Sequence, residues 1–96
     1  MPRARNVLVA DDDPMIRDIL FHMLKEEGFG VFLAEDGYQA LKSTKDNNPD
    51  IMLLDLNMPR MNGYEVIRWT RADRKHRFLP IIVLTAYGQE KIRALE

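Results

Sequence analysis

Apolar positions along the chain follow two alternating rhythms. Short unbroken runs occupy residues 7–10, 31–34, 51–54 and 80–85. Between them, apolar residues recur every three or four positions. The short runs predict strands buried on both faces, and the wider spacing predicts amphipathic helices. Ile16, Ile19, Leu20, Met23 and Leu24 stand at i, i+3, i+4, i+7 and i+8, which predicts a first helix with those residues on its buried face. Asp13 suits its N-cap, Pro14 suits its first turn, and Gly28 and Gly30 break the chain after it.

The same reading continues down the chain. Glu35, Asp36 and Gly37 form a turn that opens a second helix, with Tyr38, Ala40 and Leu41 facing inward. That helix ends in Asp46, Asn47, Asn48 and Pro49. Tyr64, Val66, Ile67 and Thr70 mark a third helix, closed by the basic stretch Arg74, Lys75, His76 and Arg77. After a turn at Ala86, Tyr87 and Gly88, Ile92 and Leu95 begin a fourth helix over residues 89–96. The order β-α-β-α-β-α-β-α implies an α/β fold: a parallel sheet covered by helices on both faces.

Composition narrows this picture. Ninety-six residues make one domain, 46% of them apolar and 30% charged, with net charge −1. That balance argues against a polyanion-binding surface, and no DNA-reading motif is present. Without cysteine there is no disulfide framework, thiolate metal site or thiol chemistry. No apolar run approaches the roughly 20 residues of a membrane helix. The N-terminal run is too short for a signal peptide, so a cytoplasmic location is expected.

The chemistry gathers at strand ends. In a parallel sheet all C-terminal strand ends share one rim, which here collects Asp11 and Asp12, then Asp55, then Thr85. If the first and third strands are neighbours, three carboxylates meet in one crevice. They repel one another unless a cation sits among them, and an all-oxygen site of this kind suits Mg²⁺. A carboxylate, Mg²⁺ and a hydroxyl together suggest phosphoryl transfer to Asp55.

The segments VLVADDDP, LLDLNMPRMNGYE and IIVLTA, each at a strand end and in this order, closely resemble the response-regulator receiver domain of two-component signalling. The resemblance spans almost the whole chain and implies a flavodoxin-like, doubly wound sheet with strand order 2-1-3-4. It implies that Asp55 is the phosphoacceptor, that Asp11 and Asp12 hold Mg²⁺ with Asp55, and that Asn57 adds its backbone carbonyl. Thr85 would hydrogen-bond the phosphoryl group and reorient on activation. Pro59 and Gly63 match the turn that shapes the pocket. Ala86 leaves the phosphoryl site open, and Asn57 and Tyr87 match positions that tune phosphate loss. The implied partners are a histidine kinase or phosphotransfer protein and a downstream effector.

The chain departs from the family in one way. Receivers carry a fifth strand ending in a lysine, then a fifth helix, and the 96 residues stop before either. Lys91 is in the wrong place to serve. The expectation is a C-terminally incomplete receiver over residues 1–96, whose exposed fourth strand or uncovered sheet face favours self-association into a homodimer. The alternative reading is a receiver-like dimerisation module that is not phosphorylated. An aspartate-nucleophile phosphohydrolase fits less well, because such enzymes carry a second acid two residues on, where this chain has Asn57.

Other conspicuous residues read more plainly. His22, among core-facing helix positions and without an acidic partner near in sequence, is expected to be partly buried. His76 is expected to be solvated in its basic loop. Arg68, Arg71 and Arg74 read as a solvated stripe, and Trp69 and the six methionines as filler.

Overall fold

The computed structural model describes residues 5–84. Four parallel strands form one sheet: β1 (Asn6–Ala10), β2 (Gly30–Ala34), β3 (Ile51–Asp55) and β4 (Ile81–Leu84). Their spatial order is β2-β1-β3-β4, as the family resemblance implies. Three helices connect them: α1 (Pro14–Glu26), α2 (Gly37–Asn47) and α3 (Gly63–Ala72). The fourth helix expected over 89–96 lies outside the described residues, as does Thr85. No helix among the described residues is long and apolar enough to cross a membrane.

Local chemistry sets the helix ends. Asp13 caps α1 by accepting the Met15 amide, with Pro14 at the first helical position. Gly28, at φ 92, turns the chain out of α1 while Phe29 donates back to the Leu24 carbonyl. Asp36 caps α2 through the Gln39 amide. Asn62 and Glu65 form a reciprocal capping box on α3.

The sheet alternates sides along each strand. Leu8, Ala10, Ala34, Met52 and Leu54 point to the face that packs on Ala40 of α2 and Val66 of α3, with Met58, Met61 and Leu79 closing that core. On the other face Val7, Leu53 and Ile82 meet Leu24 and Phe29 along an apolar groove of about 360 Å³.

Several inward positions expected from the helical period face out instead. Ile19 is 47% exposed, Met23 58% and Tyr38 59%. For α1 the reason is that no residue of the helix is fully buried; only its Ile16, Leu20, Phe21 and Leu24 side is half-covered. A stripe including both i+3 and i+4 neighbours is wider than the contact α1 makes.

The histidines also exchange roles. His22 is exposed and lies 3.3 Å from Asp18, one turn earlier on α1, an acidic neighbour the sequence reading overlooked. His76 is buried, its ring nitrogens facing Asp73 and Asn48.

Candidate acidic site at the strand ends

Sheet register builds the site. Ala10 pairs with Leu54 across the β1–β3 contact, which brings Asp11 level with Asp55. β1 and β3 are neighbours although α1, β2 and α2 lie between them in sequence, so their ends flank the point where strand order reverses. One carboxylate oxygen each of Asp11, Asp12 and Asp55 lies within 4.8 Å of the others. Asp11 is buried, Asp55 partly buried and Asp12 exposed.

Backbone donors orient two of these acids. The Asp13 amide donates to Asp11 Oδ1 at 2.9 Å, and the Asn57 amide donates to Asp55 Oδ1 at 3.0 Å. Behind Asp11, the Arg17 guanidinium donates to its carbonyl at 2.7 Å, and the Asp11 amide donates to the Ala34 carbonyl at 3.0 Å. The acid is thus fixed by β2 and α1 as well as by its own strand. Sequence reading missed Arg17, whose position six residues after Asp11 gives no motif.

Electrostatics leave the cluster short of positive charge. Burial pushes the Asp55 carboxyl up to about 6, and the charges of Asp11 and Asp12 add to the effect. Burial likewise raises Asp11, against the lowering effect of the Asp13 amide. Two acids whose ionised forms are disfavoured, in an all-oxygen donor set, make a site that a hard divalent cation fits: it would stabilise the ionised carboxylates and keep some of its water.

Of the residues singled out from sequence, the structure brings Asp11, Asp12 and Asp55 together and sets Asn57 at the start of the loop after β3, its amide on Asp55. Thr85, Ala86 and Tyr87 lie outside the described residues. Pro59 lies within the loop after β3 and Gly63 follows it as the first residue of α3, where it has a steric role: a Cβ there would come 2.5 Å from the Asp55 carbonyl oxygen. Arg60 of this loop, which the sequence reading passed over, is joined by an ion pair at 2.7 Å to Asp36, read from sequence only as part of the turn that opens α2. Acid and base 24 positions apart carry no local signal.

Comparison with known proteins matches this geometry. The chain is 45% identical over 85 residues to the response regulator RR06 of Streptococcus pneumoniae, a match that covers 88% of this chain and 38% of that protein. It is 44% identical over 82 residues to the DNA-binding response regulator MtrA of Mycolicibacterium smegmatis, covering 85% and 35%. The chain therefore spans well under half the length of these relatives. Among solved structures, the chemotaxis protein CheY4 of Vibrio cholerae superposes with a TM-score of 0.86 at 34% identity, covering 95% of this chain and 77% of that one. The receiver domain of a sensor histidine kinase from Pseudomonas aeruginosa, with a magnesium ion coordinated in its active-site cleft, superposes at 0.87 with 33% identity, covering 96% and 75%. The family model for the response regulator receiver domain matches residues 7–96, and the chain belongs to that family of two-component signalling domains.

Proposed function

We propose that this chain is a phosphoacceptor switch, in which Asp55 receives a phosphoryl group from a phosphohistidine on a sensor kinase or phosphotransfer protein. The observation that carries the reading is the convergence of Asp11, Asp12 and Asp55 within 4.8 Å. Asp11, Asp12, Asp55 and the backbone carbonyl of Asn57 would hold Mg²⁺. When bound, the ion supplies charge neutralisation at the phosphoryl oxygens.

The chain's own groups do the rest. With a pKa about 6, Asp55 is mostly ionised at neutral pH and able to act as a nucleophile. The Asn57 amide on Oδ1 holds the carboxylate in place during attack. A carboxylate oxygen forms the new O–P bond as the donor's N–P bond breaks, and the leaving imidazole takes the electron pair and a proton from solvent. Thr85 is the residue this reading assigns to the phosphoryl group once it has arrived. The added charge then biases the surface around β4, which an effector protein reads.

Self-association belongs to the same reading. Within the described residues β4 is an edge strand and Ile82 is 51% exposed. The apolar groove beside it, lined by Val7, Leu53 and Ile82, is the surface a second copy would cover. Sedimentation that shows only monomer at tens of micromolar excludes the dimer.

Acetyl phosphate with Mg²⁺ is expected to add the mass of one phosphoryl group to the intact protein. The adduct should be base-labile and map to Asp55. It should be absent from Asp55→Asn and in the presence of EDTA. An unmodified wild-type protein under these conditions refutes phosphoacceptor function.

A further inference from the structure

The loop from Leu56 to Asn62 carries Asn57 and joins Asp55 to α3, and its backbone is held in an unusual shape. Arg60 has φ 66, in the left-handed region. The only other non-glycine described residue at positive φ is Asn48, a type that tolerates this region far better than arginine. A side chain with no intrinsic preference for this conformation has to be held in it by its surroundings.

The hold comes from Asp36. Arg60 Nη2 and Nε donate to Asp36 Oδ2 at 2.7 and 3.1 Å. The other oxygen of the same carboxylate, Oδ1, accepts the Gln39 amide at 2.9 Å and caps α2. Asp36 is 4% exposed, so its charge is satisfied by these partners rather than by bulk water. The helix amide and the guanidinium together hold the Asp36 carboxyl below the usual carboxylate range.

Packing closes the loop from both sides. A Cβ on Gly37, the first residue of α2, would run into the carbonyl oxygen of Met61, and would lie 2.7 Å from the Met61 Cβ. A Cβ on Gly63 would lie 2.7 Å from the Leu56 Cα. The loop is therefore flush against α2 at one end and against the end of β3 at the other, with Arg60 between.

We propose that Arg60 and Asp36 are positioning residues for the acidic site. Their ion pair keeps the loop in its left-handed turn, and so keeps Asn57 where its amide meets Asp55 and its carbonyl can serve as a ligand. The inference rests on the Mg²⁺ site proposed above. It also makes that site responsive to the start of α2: an acidic partner group that draws the exposed Arg60 guanidinium away from Asp36 weakens cation binding without touching Asp11, Asp12 or Asp55.

The test is an Mg²⁺ titration followed by the amide resonances of Asp12, Asp55 and Asn57 in four proteins: wild type, Arg60→Ala, Arg60→Gly and Asp36→Asn. Asparagine keeps the α2 cap while removing the charge. Arg60→Ala and Asp36→Asn are each expected to weaken Mg²⁺ binding by about 10-fold, the low end of what losing an outer-sphere partner of a ligand costs. A fifth protein, the Arg60→Ala/Asp36→Asn double variant, should bind no more weakly than either single one. Arg60→Gly should weaken it less than Arg60→Ala, because glycine accepts the left-handed turn without help. A general loss of fold would not produce that order. Equal affinities in all four proteins overturn the proposal.

A second readout is independent of the metal. Exchange of the Met61 and Gly63 amides, which donate to the Pro59 and Leu56 carbonyls, should quicken in Arg60→Ala while the β1 amides keep their protection. If wild type binds no Mg²⁺ but these amides do quicken, the metal reading fails and the loop hold survives. If they do not quicken, the hold itself is refuted.

Discussion

His76 Nε2 lies 3.0 Å from Asn48 Oδ1, closing a contact between the end of α2 and the turn that follows α3. The other ring nitrogen, Nδ1, lies 3.0 Å from Asp73 Oδ2. Asn48 is the left-handed C-cap of α2, Asp73 the C-cap of α3, and the ring between them is 6% exposed. One buried imidazole thus ties two helix ends together. The contact with His76 also lowers the Asp73 carboxyl from its ordinary value.

The first prediction concerns this node. His76 borders a cavity of about 240 Å³ shared with Leu41, Thr44 and Trp69. Removing the ring enlarges an existing space that the neighbours do not fill. His76→Ala is expected to lower the unfolding free energy by about 2–3 kcal/mol, combining two lost hydrogen bonds with the cavity. Asn48→Gly should cost only about 1 kcal/mol, since glycine accepts the backbone angle and only the hydrogen bond is lost. Urea denaturation measures both, and an unchanged midpoint for His76→Ala removes the node from the account.

A second prediction follows from Arg71. It belongs to the basic stripe that reads as solvated in the sequence, yet its Nη1 donates to the Leu79 carbonyl at 2.7 Å and to the Arg77 carbonyl at 3.1 Å. These bonds fasten the turn that delivers β4 to the sheet. Arg71→Ala is expected to destabilise by about 1–2 kcal/mol, because charged donors to carbonyls exceed neutral ones. Arg68→Ala and Arg74→Ala, with exposed side chains, should change stability by less than about 0.5 kcal/mol. Equal effects at all three positions restore the solvated-stripe reading.

The contrast shows which parts of this protein are legible in its sequence. Helix starts and the acids at the strand ends were legible because they follow from local patterns: apolar runs, caps, and acids directly after strands; the strand order, and with it the meeting of Asp11, Asp12 and Asp55, was implied by the family resemblance. Ala10 opposite Leu54 is enough to bring the acids level once the sheet order is known. What stayed hidden depends on pairs distant in sequence. Arg60 with Asp36, and His76 with Asn48, meet only because α2 and α3 pack side by side. The exposure of Ile19, Met23 and Tyr38 was hidden for a related reason. Periodicity reports which side of a helix is apolar, and only the neighbours decide how much of that side is covered.

A third prediction tests the close approach behind Asp55. Gly63 opens α3 where any Cβ would press on the Asp55 carbonyl and the Leu56 Cα. Gly63→Ala must push α3 away from the strand end or distort the turn. The expected cost is about 1–3 kcal/mol of stability, typical of overpacking. If the acidic site depends on this turn, Mg²⁺ affinity falls in parallel, as read by the Asp55 and Asn57 amides. Gly28→Ala is the contrasting control: nothing crowds that position, and its cost arises only from the φ of 92. Gly28→Ala should therefore lower stability while leaving Mg²⁺ binding intact.

The last prediction sets the sign of a pH dependence. Asp55 is raised from an ordinary 3.8 to about 6, so the folded protein holds this proton more tightly than the unfolded chain. Stability from the protonated carboxyl is complete below the unfolded value and is lost as pH rises through the folded one. In EDTA, Asp55→Asn mimics the neutral form at every pH. The variant should match wild type near pH 3 and exceed it at pH 7 by about 1 kcal/mol, the shift being discounted for the solvent that reaches this half-buried group. Mg²⁺ at about 100 times its dissociation constant should stabilise wild type by about 2.7 kcal/mol at pH 7, and by clearly less at pH 5, where the proton competes with the ion. Asp55→Asn should lose most of that gain, because the ionised ligand is gone. Thermal melts at these pH values, with and without Mg²⁺, give all these differences. An Asp55→Asn variant less stable than wild type at pH 7 in EDTA refutes the claim that the cluster carries unrelieved negative charge.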